Sequence, residues 1–136
     1  MIKEKRCPSC DTTKPIEEFG NRGGRRKDKQ VHCKICDVAK TREHRIKMRS
    51  WVSEYKLKRG CKRCGFKAEI PAQLHLDHRD PSTKTKNGNG RAYEPSWRRE
   101  CIQEEINKCD VLCANCHAFK TFTNNEHISG AINDNT

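Results

Sequence analysis

Cys61-Lys62-Arg63-Cys64 and Val111-Leu112-Cys113-Ala114-Asn115-Cys116-His117 read as two halves of one metal site. Between them stands Leu74-His75-Leu76-Asp77-His78-Arg79-Asp80-Pro81. A C-x-x-C turn presents two converging thiolates, so a pair of such turns supplies the four ligands of a tetrahedral zinc ion. Four thiols account for how a small polar segment can fold. They leave Asp77, His78 and His117 without a structural duty.

Working outward, 136 residues hold one ordinary domain or two very small ones. Apolar residues make up 32% and charged residues 35% of the chain, so neither half can bury a large core and both need staples. The ten cysteines are those staples. Eight fall into C-x-x-C pairs: Cys7/Cys10, Cys33/Cys36, Cys61/Cys64 and Cys113/Cys116. The simplest pairing joins the first with the second and the third with the fourth, giving two structural zinc ions. Cys101 and Cys109 lack knuckle spacing and read as small buried thiols. Met1-Ile-Lys-Glu-Lys-Arg leads straight into Cys7, without an apolar signal segment, and no run approaches membrane-spanning length. A cytoplasmic protein is expected, where reduced thiols favour zinc over disulfides.

The formal charge is +11 and unevenly spread. Between Arg22 and Arg63 only Asp28, Asp37, Glu43 and Glu54 oppose a dense run of Lys and Arg. Such a belt suits a polyanion, since phosphate contacts dominate nucleic-acid affinity. Arg42, Arg45 and Arg49 are its candidates on a helix.

A zinc ribbon is expected over residues 1–37, with Ile16, Phe19 and Val31 as a minimal core and a flexible basic loop from Asn21 to Lys27. His32 is a lesser candidate ligand. A basic helix should link 38–60, its second half carrying the stripe Met48, Trp51, Val52 and Tyr55, and Gly60 ending it. Trp51 and Tyr55 read as core, not as base-stacking platforms. The second unit, 61–125, should place a strand over Ile70–Asp77, a turn at Asp80-Pro81-Ser82, and a basic hairpin tipped by Asn87–Gly90. A helix capped by Ser96 and marked by Trp97, Cys101, Ile102, Glu105 and Ile106 follows. A short strand at Val111-Leu112 and a helix carrying His117 and Lys120 complete it, with 126–136 read as a disordered tail. The fold class is a small, zinc-stabilised α+β.

An Asp-His pair at a strand end, then Asp-Pro, then Leu112-Cys-Ala-Asn-Cys-His117-Ala-Phe-Lys120, resembles the HNH endonuclease family with its zinc-bound ββα-metal core. The likeness spans about 61–123, and Cys109-Asp-Val-Leu-Cys-Ala-Asn-Cys-His117 is its most specific phrase. The ribbon is similar to modules ahead of HNH or recombination-endonuclease domains in phage proteins. By position, the resemblance implies that Asp77 and His117 hold a catalytic divalent cation and that His78 is the general base. Asn107, or alternatively Asn115, would be the middle asparagine. Lys120 and Arg79 would contact phosphate.

The chemistry agrees with those roles. A histidine titrating near neutrality can activate water, and a cation on a carboxylate and an imidazole can offset charge on phosphate. Mg²⁺ or Mn²⁺ suits the carboxylate, while the imidazole also admits Ni²⁺ or Zn²⁺. The implied substrate is double-stranded DNA, nicked or cut to 5′-phosphate and 3′-hydroxyl ends, with a homodimer or a phage protein as further partner. The reading from another class is a non-catalytic zinc-binding regulator of DNA or RNA. Strict strand alternation puts Asp77 and His78 on opposite faces, so a bend or bulge is expected there. The same alternation sets His75 on Asp77's side.

Overall fold

The computed structural model describes residues 2–25, 28–86 and 91–124. Arg26 and Lys27 of the basic loop, the hairpin tip Asn87–Gly90 and the 126–136 tail lie outside the described residues. The architecture is small α+β, and the chain divides into two compact units with the boundary between Ile46 and Lys47.

In the first unit, β1 (Glu4–Cys7) pairs antiparallel with β2 (Thr12–Pro15), and β3 (Phe19–Asn21) with β4 (Lys29–Cys33). Strands this short cannot bury a face. The core is correspondingly small: Cys7, Phe19 and Cys33, with Cys36 packed against them. Val31, expected inside, is 42% exposed, and Ile16 is only half-buried. The thiols themselves take the place those aliphatics were expected to fill.

The helix α1 (Lys34–Arg59) starts earlier than its composition suggests, because its first turn already contains Cys36. Its second half, in the second unit, buries Met48 and Val52 against Ile102 and Ile106, with Trp51 and Tyr55 packed on the cluster. The stripe is therefore core, as its spacing predicts. Gly60 ends the helix at φ +68°, where a Cβ would stand 2.8 Å from the Phe66 carbonyl oxygen. Only glycine accepts both conditions.

The second unit is built on β5 (Leu74–His78) and β6 (Cys109–Cys113), paired antiparallel from Leu74 opposite Cys113 to His78 opposite Cys109 without interruption. A one-turn 3₁₀ helix, Pro71–Gln73, precedes β5; a second, Pro81–Thr83, follows it, where Asp80 accepts from the Ser82 N–H. The helix α2 (Arg99–Asn107) packs on β6, and α3 (Ala114–Thr123) packs on both strands. With cover on both faces, Val111 and Leu112 are buried side by side. They join Cys61, Leu74 and Cys113 in a second core cluster. Each fully buried Leu or Ile contributes about 1.5–3 kcal/mol. Two small clusters of this kind leave room for a metal to supply the rest.

Candidate functional site

The eight knuckle cysteines gather as sequence spacing pairs them. Cys7, Cys10, Cys33 and Cys36 form one group and Cys61, Cys64, Cys113 and Cys116 the other, all thiol sulfurs within 4.8 Å of one another in each. Sulfurs sharing one zinc at about 2.3 Å stand about 3.8 Å apart, and Cys64 Sγ lies 3.8 Å from Cys113 Sγ. Each group could hold a structural zinc ion. Backbone donors prepare both. The Cys33 N–H donates to Cys7 Sγ at 3.3 Å and leads the effects that pull Cys7 down to about 5. Burial works against ionising Cys61, but N–H groups of Cys113, Cys64 and Arg63 bring it to about 6. Its opposite number, Cys116, is pushed up to about 12, first by burial and then by bonds to the other three thiols. Cys36 is likewise pushed up to about 12, chiefly by its bond to Cys33. Four adjacent thiols cannot all ionise without a cation. His32 stands outside the ligand set, bonded to Ser9 and Lys40.

Alternation holds strictly along β5, so the expected bulge is absent and Asp77 and His78 diverge. Asp77 turns to α3, where its Oδ1 lies 3.5 Å from His117 Nε2 and its Oδ2 accepts from Lys120 Nζ. Lys120 also donates to the His78 carbonyl at 2.9 Å. His75, on the same face as Asp77, brings its Nδ1 to 3.1 Å from His117 Nδ1. Burial, then the neighbouring His117 and Lys56 charges, push its pKa down. Despite the divergence, Asp77, His78 and His117 all line one cavity of about 770 Å³. Arg49, Lys56, Lys84 and Arg91 line it too. Thus β5, the helix α3 and the second half of α1 bring to one place residues that lie far apart in sequence.

The other face of β5 carries a group that the sequence reading placed only as a helix marker. Glu105, 2% exposed, accepts from His78 Nε2 at 2.6 Å. Its two oxygens also accept from the Thr85 N–H at 2.9 Å, the Thr85 hydroxyl at 2.8 Å and Lys108 Nζ at 2.9 Å. Burial opposes ionisation, yet these donors hold the carboxyl down at about 2. The signal was present in the chain: Ile102, Glu105 and Ile106 form an i, i+3, i+4 stripe in which one member is acidic.

Of the remaining sequence candidates, some lie elsewhere and two, Arg49 and Lys120, reach the same site. Arg79 donates to the carbonyls of Asn107 and Cys109 and to Asp110, tying the strand end to the turn before β6. Asn107 engages Gln103 through its side chain and, with Arg79, borders a different cavity. Asn115 borders a third, beside Cys64 and Cys116. Arg42 and Arg45 are exposed on the first-unit part of α1, whereas Arg49 reaches the cavity wall. Lys120 sits on Asp77.

The chain matches no family model, no curated protein and no solved structure. Among the described residues no helix is long and apolar enough to cross a membrane.

Asp77 Oδ1 and His117 Nε2, 3.5 Å apart, have roughly the spacing of two donors sharing one cation at bonds of about 2.1 Å. A carboxylate oxygen with an imidazole nitrogen also fits a divalent ion by chemistry. Arg49, Lys56, Lys84 and Arg91 set cationic side chains along the wall of the same cavity.

Proposed function

We propose that the second unit is a metal-dependent DNA endonuclease of the HNH type, with β5, β6 and α3 as its ββα core. The observation that carries this reading is the convergence of Asp77, His78 and His117 on one cavity that Arg49, Lys56, Lys84 and Arg91 also line. A protein that only bound nucleic acid would be served by the cysteine tetrads and the basic helix. Nothing in binding alone calls for a carboxylate and two imidazoles in the same cleft.

Asp77 and His117 would hold the divalent ion, Mg²⁺ or Mn²⁺ by the carboxylate and Ni²⁺ or Zn²⁺ by the imidazole. When bound, such a cation offsets the charge that gathers on the non-bridging oxygens and on the leaving 3′ oxygen. His78 takes a proton from water as the water oxygen attacks phosphorus. The bond from phosphorus to the 3′ oxygen breaks, and that oxygen gains a proton from solvent. The products are 5′-phosphate and 3′-hydroxyl ends. The cationic wall seats the backbone phosphates, which predicts binding that weakens steeply with salt. Arg42 and Arg45 on α1 extend the basic surface of the first unit.

The test is supercoiled plasmid incubated with Mg²⁺ or Mn²⁺ beside His78→Ala. Wild type should nick or linearise the plasmid, and the variant should lose about 10²–10⁴-fold in rate. Wild type and variant that bind DNA and behave alike would overturn the proposal in favour of a zinc-stabilised binding protein.

A further inference from the structure

The nuclease reading takes Asp77 from one face of β5 and His78 from the other, and leaves unused the buried acid that His78 meets there. We propose that Glu105 is the positioning residue of the general base, fixing His78 in the tautomer that carries its proton on Nε2. The inference rests on the nuclease reading for its catalytic meaning and on the geometry for its substance.

The 2.6 Å contact joins Glu105 Oε1 to His78 Nε2, with both side chains almost wholly buried. A carboxylate only accepts hydrogen bonds, so the hydrogen of this bond is the imidazole's. The acid is held ionised by three further donors, from Thr85 and Lys108. With Nε2 committed, Nδ1 is the nitrogen left with a lone pair. The proton drawn from the attacking water goes to Nδ1, and the imidazolium so formed lies against the Glu105 carboxylate. A carboxylate that orients an imidazole and stabilises its charged form serves other hydrolytic sites in the same way.

Glu105 also ties the base to the cavity wall. Thr85 follows Lys84, which lines the cavity, and Lys108 reaches both Glu105 and the Thr83 carbonyl. Segment 83–85, Lys108 and His78 thus share one buried anchor. A buried polar group this fully satisfied is costly to replace by half measures. The position is therefore better fitted to hold a functional ring than merely to fill space. Leucine would fill the α2 stripe without needing four donors.

Two measurements test the proposal on the zinc-loaded full chain. The first is the ¹⁵N spectrum of the His78 ring at a pH where it is neutral. Protonated Nε2 supports the inference, and protonated Nδ1 overturns it. The second is plasmid cleavage by Glu105→Gln and Glu105→Asp. Glu105→Gln should lose about 10–100-fold in kcat, the scale of losing an orienting partner, with KM within about twofold and zinc content unchanged. Glu105→Asp should recover part of that loss. A Glu105→Gln protein that cuts at the wild-type rate sinks the positioning role and leaves the nuclease reading intact. Wild type that cuts nothing sinks both. Should Glu105→Gln fail to fold, the wild-type tautomer alone decides.

Discussion

The two units build their cysteine tetrads on the same kind of corner and differ in what the neighbouring strand carries. Cys33 closes β4 and Cys36 lies in the first turn of α1; Cys113 closes β6 and Cys116 lies in the first turn of α3. Across the strand pair, Phe19 faces Cys33 and Leu74 faces Cys113, and both Phe19 and Leu74 are at most 1% exposed. Even the helix spacing repeats, with Cys36-Asp37-Val-Ala-Lys40 beside Cys116-His117-Ala-Phe-Lys120. Past those anchors the likeness stops. The strand from Phe19 runs into Asn21-Arg22-Gly23, whereas the strand from Leu74 runs to Asp77-His78. Lys40 meets a histidine and Lys120 a carboxylate. The second unit alone has an α2, and hence a Glu105. A cysteine corner is a scaffold, and what a chain can place beside it varies from unit to unit.

The largest effects should come from removing a corner. Cys113→Ser is expected to lose one of two zinc equivalents and the cooperative fold of the second unit, because a structural zinc supplies about 10 kcal/mol or more in small domains. Cys33→Ser should do the same to the first unit while leaving plasmid cleavage chemistry in the second. Zinc content and amide NMR spectra of the two variants check this. Retention of both ions by either variant would break the assignment of ligands.

Core truncation comes next. Phe19→Ala should cost about 3–5 kcal/mol and Leu74→Ala about 2–5 kcal/mol, since each leaves a cavity opposite a tetrad cysteine. Denaturant unfolding of the zinc-loaded chain measures both. A loss under about 1 kcal/mol at Leu74 would show that the second unit draws its stability from α1 and α2 instead.

Proton competition is the finest comparison. Zinc binds thiolates, so its affinity is greatest at high pH and falls as pH falls. Each tetrad contains one thiol pushed up to about 12, Cys36 and Cys116, whose proton the ion must displace at neutral pH. Affinity at both sites should therefore weaken at least about tenfold per pH unit. Chelator competition near pH 7 resolves this, and unequal slopes would mean that the two corners differ in ligand protonation.

Much of the fold was legible because knuckle spacing is short-range and chemically narrow. The four pairs, their partnership, the apolar stripe of α1 and its end at Gly60 all follow from residues a few positions apart. The start of α1 was less legible, since a C-x-x-C turn and a first helical turn look alike in sequence. Val31 misled because it alternates like a core residue, while four thiols had already filled the space available. At the candidate site, Asp77, His117 and Lys120 could be placed near one another by their relation to β5 and the last knuckle. Arg79 and Asn107 could not: both are drawn into local bonds around the turn before β6, and a charged or amide side chain carries no mark of which partner will claim it.

The sequence by itself determined where metal can sit and which residues are surplus to it, because ligand type and spacing fix both. Only the tertiary structure decided that Asp77 and His78 face apart along an unbroken strand and still border one cavity. It alone set Glu105 against His78, from a helix 27 residues along the chain. The physical reason is that strand alternation and helix packing assign each side chain its neighbours across the fold, and a buried acid shows its purpose only through the donors that surround it.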